Sequence, residues 1–262
     1  MRLKTRASAL VGGLMVGALA VSSAFAAYEE TTVKDAGILR GVVRFNGTPP
    51  KLEPVAVNKN RDVCGEQKAS EALVLGPDRG VKGSVVLIEG VTKGKKGSGD
   101  VVIDNNKCLF VAHVTATGPG DRVRVKNSDA ILHNTHGKLH AAGAAGKQHV
   151  FNLALPTKDQ MVDITKRLGK PGVVRLLCDA HPHMSAWMIV HDSPYFAVTD
   201  ERGAFRIEGV PPGTYKVTMW HEGYHPKGAD KDGRPVYGDP HTVTREVTVA
   251  PNGAATLDFE LK

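Results

Sequence analysis

The sequence predicts an all-β fold, and three observations carry that prediction. From Gly37 onward the chain is a series of short runs rich in β-branched residues, separated by turn residues. Its 29 glycines and 15 prolines show no collagen period and indicate many turns. Only the segment from Lys158 to Leu168 permits a short helix. The 262 residues suffice for one large or two modest domains, and the composition excludes a disordered chain.

The N-terminus predicts export. Arg2, Lys4 and Arg6 precede an apolar run and the cleavage pattern Ala24-Phe25-Ala26, so we interpret residues 1–26 as a secretory signal peptide. The alternative is an uncleaved membrane anchor, but the apolar run is shorter than the roughly 20 residues that a membrane span needs. We therefore expect a periplasmic protein with no stable membrane span after cleavage.

The net charge argues against nucleic acid as a partner. Removal of the signal peptide takes three basic and no acidic residues from a formal charge of +7 and leaves +4. This charge is small and scattered, whereas phosphate binding needs a concentrated basic face. We therefore expect no nucleic-acid binding.

The predicted strands are bounded by turn residues such as Gly118-Pro119-Gly120-Asp121 and Pro211-Pro212-Gly213. About ten or eleven strands at this spacing exceed one small sandwich, so we expect two β domains. In chain order, the predicted strands are Ile38–Phe45, Gly83–Glu89, Asp100–Ile103, Leu109–Ala116, Arg122–Asn127, Gly172–Cys178, Ala186–His191, Ala204–Ile207, Tyr215–Trp220, Arg245–Val249 and Thr256–Leu261.

The C-terminal part carries a distinctive pattern, a hairpin followed by a proline-shaped turn into another strand. This pattern is VTDERGAFRIEGVPPGTY at Val198–Tyr215, and Met219-Trp220 and Gly223-Tyr224 follow it. It resembles the carboxypeptidase regulatory-like domain, a seven-stranded transthyretin-like sandwich. The resemblance implies a smaller β-sandwich of this kind at residues 193–262.

Members of that family begin with a G-x-V strand and a V-x-V strand. Segments that suit these two strands lie far N-terminal to the pattern at Val198–Tyr215 in this chain. Gly41-Val42-Val43 and Ser84–Leu87 suit these strands. Residues 37–97 are therefore expected to belong to the same sandwich, which a domain at residues 98–192 would interrupt. Three consecutive modules are the alternative.

Between these pieces, two segments contain side chains that bind soft metal ions. His133 lies in NSDAILHNTH, and Cys178, His181 and Met184 lie in VVRLLCDAHPHM. One thiolate, two imidazoles and a weak thioether are the ligand type of blue-copper electron-transfer sites, because thiolate suits Cu(I) and imidazole suits both oxidation states. Zinc also accepts Cys and His ligands, but a Met ligand weighs against it.

The C-x-x-H-x-x-M spacing, together with the upstream H-N-x-H pattern, resembles the cupredoxins, in particular those with an amicyanin-like ligand loop. The resemblance implies a Greek-key cupredoxin sandwich at residues 98–192 that holds one type 1 copper ion. The implied copper ligands are His133, Cys178, His181 and Met184.

The same resemblance implies roles for residues around the ligands. Asn134 would brace the ligand loops by hydrogen bonding, whereas His136 is not a ligand in the family pattern. His181 would be the partly exposed ligand through which electrons enter or leave, with Pro182 and His183 in the contact patch. His183 stands where amicyanins have an aromatic residue.

The other two cysteines, Cys64 and Cys108, lie in turn-flanked segments that we expect at the surface. In an oxidising compartment we expect them to form a disulfide. Closing a loop of about 45 residues would stabilise the fold by about 3 to 4 kcal/mol. The alternative is that one of these cysteines binds a metal.

Other histidines have no common spacing. His113 lies on an apolar strand and is expected to be an interior or interface residue. His136, His140 and His149 flank a Gly/Ala-rich loop at Gly137–Gly146, and an accessory metal-binding role for them stays open.

These features predict an exported electron carrier rather than an enzyme. No G-x-S-x-G elbow or comparable catalytic arrangement occurs in the sequence. A periplasmic redox protein, such as a cytochrome c or a dehydrogenase, would be the partner, and the regulatory-like sandwich would be a passive scaffold or a docking module. The alternative function is a periplasmic copper-binding or copper-delivery protein, which would release Cu(I) readily to an acceptor.

Overall fold

The computed structural model describes residues 28–141 and 144–262. The predicted signal peptide, residues 1–26, lies outside the described residues. Within the described part of the chain, no helix is long and apolar enough to span a membrane. Almost all regular structure there is strand, so the all-β prediction is confirmed.

The regular elements fall into three successive groups along the chain. The first strands are β1 (Glu29–Glu30), β2 (Gly37–Phe45), β3 (Val55–Ala56), β4 (Gln67–Lys68), β5 (Val74–Leu75), β6 (Val81–Lys82), β7 (Val85–Ile88) and β8 (Lys93–Gly94). The middle strands are β9 (Asp100–Asn106), β10 (Leu109–Val111), β11 (Val114–Thr117), β12 (Arg122–Asn127), β13 (His133–Ala141), β14 (Ala144–Leu155), β15 (Met161–Asp163), β16 (Gly172–Leu177) and β17 (Ser185–Val190). The last strands are β18 (Phe196–Val198), β19 (Ala204–Val210), β20 (Gly213–His221), β21 (Pro226–Ala229), β22 (Pro235–Tyr237), β23 (His241–Val249), β24 (Ala254–Thr256) and β25 (Phe259–Leu261). The helical elements are α1 (Arg61–Cys64) and two 3-10 turns at Pro77–Arg79 and Thr165–Arg167.

The middle strands form a two-sheet sandwich, which we call the central sandwich. One sheet has the order β10-β9-β12-β15, and the other has the order β11-β17-β16-β13-β14. Alternate side chains of both sheets point inward, and Ile103, Val125, Leu155 and Leu176 form part of a closed apolar core. The metal-ligand candidates lie at one end of the sheet that contains β13 and β16.

A second sandwich, the terminal sandwich, combines strands from both ends of the described chain. Strand β7 lies between β18 and β20, and β23 completes that sheet. Strand β2 pairs with β19 on one side and with β24 and β25 on the other. The central sandwich is therefore inserted between two parts of the chain that fold together.

Strand β2 shows why the terminal sandwich forms from these distant segments. Leu39, Val43 and Phe45 face its core, while Arg40 and Arg44 face outward, which is the alternation of a half-buried strand. Gly41 lies so close to the neighbouring chain that a Cβ there would be 1.9 Å from the carbonyl oxygen of Leu257. A larger residue at this position would push the C-terminal strands off β2.

The helix and loop expected in the middle of the chain were wrong. The helix permitted at Lys158–Leu168 is instead strand β15 followed by a 3-10 turn, because β15 pairs with β12 and Ile164, the next residue, is buried. The Gly/Ala-rich loop predicted at Gly137–Gly146 is largely replaced by β13 and β14, which pair along most of their length. In both places, pairing with a neighbouring strand outweighs the local propensity of the sequence.

The two sandwiches share a buried interface. Trp187 and Ile189 on β17 point away from the central core, and Trp187 packs edge-on against Trp220 with 5.6 Å between ring centroids. The indole Nε1 of Trp187 donates to Oε2 of Glu222 at 2.8 Å, and His113 forms an ion pair with the same carboxylate. These apolar and polar contacts fix the terminal sandwich against the central one.

Candidate metal centre

The topology brings the four predicted ligands to one end of the central sandwich. His133 begins β13, Cys178 directly follows β16, and His181 and Met184 lie in the loop that leads to β17. Because β13 and β16 are antiparallel neighbours, the start of the first and the end of the second lie side by side. All four side chains are at most 1% exposed.

Three donor atoms converge in this buried space. The Sγ atom of Cys178 lies 3.6 Å from Nδ1 of His181 and 4.0 Å from Nδ1 of His133. The ligand atoms of the three residues all lie within 4.8 Å of one another. Met184 is buried in the same apolar cluster as Cys178. The structure thus brings the three N and S donors together and places the thioether residue beside them.

Backbone hydrogen bonds close the loop that carries three of these residues, Cys178–Met184, which we call the ligand loop. The N–H of Met184 donates to the carbonyl oxygen of His181 at 2.9 Å. The N–H of Cys178 donates to the carbonyl oxygen of Met184 at 3.3 Å. The first and last residues of the ligand loop are therefore held directly to each other.

Each of the two candidate ligand histidines has a hydrogen-bond partner on its far ring nitrogen. Nε2 of His133 donates to Oδ2 of Asp129 at 2.9 Å, and Nε2 of His181 donates to Oδ1 of Asn60 at 2.9 Å. Since both acceptors are oxygens, the proton is on Nε2, and the lone pair on Nδ1 faces the cysteine sulfur. This is the tautomer that a metal site at Nδ1 needs.

Burial sets the protonation of the donors. It lowers the pKa of His181 to about 4, with a further contribution from the neighbouring His133. It also lowers the pKa of His133, although Asp129 opposes this shift, and it raises the pKa of the Cys178 thiol. Both imidazoles are therefore neutral at pH 7, and a cation that binds here must displace the thiol proton. A dry pocket with neutral imidazoles and one sulfur fits a soft or borderline ion such as copper or zinc.

Asn134 connects β13 to the ligand loop. Its Oδ1 accepts from the backbone N–H of Asp179 at 2.6 Å and of Ala180 at 3.2 Å, and from the Cys178 thiol at 3.5 Å. Its Nδ2 donates to the side chains of Asn152 and Asp179. One side chain thus fixes the backbone immediately after the cysteine.

A segment from the N-terminal part of the chain lies over His181. We call residues 55–68, which contain β3, α1 and β4, the covering segment. Asn60, just before α1, makes the hydrogen bond to His181, and Cys64 at the end of α1 forms a disulfide with Cys108 (Cα–Cα 5.4 Å). Val57 and Cys64 pack into the central core. The covering segment is therefore attached both covalently and by packing.

This segment overturns two expectations. His181 is 1% exposed rather than partly exposed, and His183 is also buried, so they do not form an open contact patch. Cys64 and Cys108 are buried rather than at the surface. The common cause is that α1 packs onto the central sandwich and excludes solvent from the ligand loop.

The remaining candidate histidines are placed around this centre in two groups. Nδ1 of His136 donates to Asp179 at 2.9 Å, and its Nε2 lies 2.6 Å from Nδ1 of His149. The planes of these two rings are nearly parallel, with centroids 4.7 Å apart. His140 lies elsewhere, edge-on to Trp187 at 5.1 Å. The structure therefore does not gather the three into one cluster.

Among the residues that sequence reasoning missed, Asp129, Asn60 and Arg234 contact the candidate ligands or their loop. Asp129 lies four residues before His133, and that spacing could have indicated it. Asn60 and Arg234 carry no local signal. Arg234 is in the turn between β21 and β22, and its guanidinium donates to the carbonyl oxygens of Met184 and Cys178.

Comparisons with known proteins gave one family-model match and a set of similar solved structures. A family model described as the carboxypeptidase regulatory-like domain matches residues 188–262. Similar solved structures include amicyanin from Paracoccus versutus (24% identity, 35% of this chain and 81% of that chain, TM-score 0.27). They also include a purple cupredoxin from Nitrosopumilus maritimus (17% identity, 36% of this chain and 99% of that chain, TM-score 0.28). The search of curated proteins gave no match. Both families indicated by the sequence motifs occur among these matches.

Proposed function

We propose that the protein is a periplasmic mononuclear type 1 copper protein that transfers single electrons between redox partners. The observation that carries this proposal is the convergence of Nδ1 of His133, Nδ1 of His181 and Sγ of Cys178 in a buried space. Met184, buried beside them, would be the fourth, weak ligand. A bound copper ion would supply reversible one-electron redox chemistry, and no bond of a substrate would be made or broken.

The chain's own contribution is to hold the donors still. Asp129 orients His133, Asn60 orients His181, and Asn134 fixes the backbone after Cys178. Hydrogen bonds of this kind set the tautomer and direction of each ligand. A site whose ligands move little between oxidation states favours electron transfer.

Burial supports a carrier over an enzyme. All four ligand side chains are at most 1% exposed, so a substrate could reach the centre only if the covering segment moved. An electron needs no such opening. Because Asn60 lies on His181, an electron that enters at this ligand would cross the covering segment.

The location and partners belong to the same proposal. The disulfide between Cys64 and Cys108 suits an oxidising compartment such as the periplasm. A soluble redox protein there, such as a cytochrome c or a dehydrogenase, would donate or accept the electron.

The experiment that tests this function compares the mature protein with its Cys178→Ser variant after loading with Cu(II). We expect an intense thiolate-to-copper absorption band and a type 1 EPR signal in the first and neither in the second, because Cys178 supplies the sulfur. Thr214→Ser, which changes an exposed residue of the terminal sandwich, is the control and should keep the band. A colourless wild-type protein with tightly bound zinc would contradict the proposal.

A further inference from the structure

A side chain from the hairpin that connects β20 to β23 of the terminal sandwich reaches the ligand loop of the central one. Arg234 lies in the hairpin at residues 226–237, which we call the clasp hairpin, and it is 5% exposed. Its Nη1 donates to the carbonyl oxygen of Met184 at 2.6 Å, and its Nη2 donates to that of Cys178 at 3.0 Å. One guanidinium therefore contacts both the first and the last residue of the ligand loop.

The clasp hairpin is built to present this arginine. Oδ1 of Asp230 accepts from the N–H groups of Asp232 and Arg234 and so shapes the turn. Gly233 has a φ of 78°, which favours glycine, and a Cβ there would lie 3.3 Å from Nδ2 of Asn58. The tip of the hairpin thus lies against the covering segment while Arg234 points to the ligand loop.

The charge of Arg234 has little compensation nearby. Among the described residues, its one ion pair is a 3.9 Å contact from Nε to Asp230, and its closer partners are neutral carbonyl groups. Burying a guanidinium in this way costs free energy unless something else recovers it. The two hydrogen bonds to the ligand loop are the contacts that this burial secures.

We propose that Arg234 is a positioning residue of the metal centre, through which the terminal sandwich sets the geometry of the ligand loop and favours the reduced form. This inference rests on the proposed function. The planar guanidinium has its N–H groups in a fixed fork, so it holds the two carbonyl groups at a set separation. Its positive charge stabilises the reduced centre, which carries one positive charge fewer than the oxidised centre. The terminal sandwich is then an active part of the redox site rather than a passive scaffold.

The first test needs no metal. Cys178 is the single free cysteine, so a coloured thiol reagent such as DTNB reports how often the ligand loop opens in the copper-free, full-length mature protein. Arg234→Gln removes the fork and the charge, and we expect its reaction rate to rise at least about tenfold. Arg234→Lys keeps the charge but cannot form the fork, and we expect a rise of about threefold. Arg206→Gln, which changes an exposed arginine of the same sandwich, is the control and should react like wild type.

The second test measures the reduction potential of the copper-loaded proteins. We expect Arg234→Gln to weaken the preference for Cu(I) over Cu(II) about tenfold, a fall of about 59 mV for one electron. Arg234→Lys should stay near wild type because the charge is kept. The two variants should therefore differ in reduction potential, because only Arg234→Gln loses the charge. A residue with a merely structural role would not produce this difference.

The outcomes distinguish the two proposals. If wild type binds no copper, the proposed function fails, but the thiol rates still decide whether Arg234 holds the ligand loop. Thiol rates of both variants within the error of wild type would overturn the positioning role. If Arg234→Gln does not fold by circular dichroism, Arg234→Lys decides alone: a faster thiol reaction at an unchanged unfolding midpoint supports the role, and an unchanged rate overturns it.

Discussion

At the scale of single residues, the donors and the groups that orient them have different origins. Cys178, His181 and Met184 lie within one short loop, so their spacing in the sequence already indicates a common site. Asp129 and Asn60 matter because each holds the Nε2 proton of a ligand histidine. A residue that sets a tautomer in this way is as important for metal affinity as a weak ligand.

Asp129→Asn tests this outer contact. The carboxylate accepts from the N–H groups of Lys107 and Cys108 as well as from His133, and an amide offers only one acceptor oxygen for these donors. We expect copper affinity to fall about 10- to 100-fold, measured by competition with a chelator of known affinity. Asp200→Asn, in a comparable turn of the terminal sandwich, should bind as wild type does. Equal affinities for both variants would contradict the role of Asp129.

At the scale of elements, pairing between distant strands determined strand bounds that the local sequence did not predict. The predicted strand at Leu109–Ala116 is in fact two strands, because β10 pairs with β9 in one sheet and β11 pairs with β17 in the other. Strands β13 and β14 had no strand signal, yet they form the hairpin on which His133 lies. Their glycines and alanines have low strand propensity, and the hydrogen bonds of β13 to both β14 and β16 compensate for it.

The covering segment is the element that the disulfide secures. Replacing both cysteines in Cys64→Ser/Cys108→Ser removes the cross-link over 44 residues of sequence. We expect the free energy of unfolding to fall by about 3 to 4 kcal/mol in urea titrations of the copper-free protein.

The same variant should expose the ligand loop. Because Asn60 depends on the anchored α1, the amides of the covering segment should exchange faster with deuterium, and a chelator should remove copper faster. Wild type in mild reductant, which opens the disulfide, should show the same deuterium exchange in the covering segment as the variant. Unchanged exchange in the covering segment would show that packing alone holds it.

At the scale of the whole molecule, the interface makes the two sandwiches one unit. Burial opposes the charged form of His113, but the carboxylates of Glu222 and Glu71 outweigh burial and raise the pKa of His113 to about 8. A histidine whose pKa is raised on folding stabilises the fold below about pH 6.5, and that stabilisation is lost as the pH rises through 8. The interface should therefore weaken in mildly alkaline solution.

We expect the copper-free protein to lose about 2 kcal/mol of unfolding free energy between pH 6 and pH 9 through this one group. Urea unfolding of wild type and of His113→Gln across this range measures the effect, since glutamine does not titrate. The change in the difference between the two profiles of unfolding free energy should be confined to the window between about pH 6.5 and pH 8. Parallel profiles would show that His113 does not gain a proton on folding.

The sequence by itself determined the all-β class and indicated the candidate metal donors, because both depend on short-range patterns. Alternation and turn residues act within a strand, and three donors lie within one loop. The tertiary structure alone decided that His181 is covered and that Arg234 contacts the ligand loop. The contact of Asn60 with His181 joins residues 121 positions apart, and that of Arg234 with Cys178 joins residues 56 positions apart. Both contacts exist only because strand pairing brings β2 and β7 into the terminal sandwich and places the clasp hairpin against the central one. No local propensity encodes such a distance, so the environment of the donors follows from the packing of the whole chain.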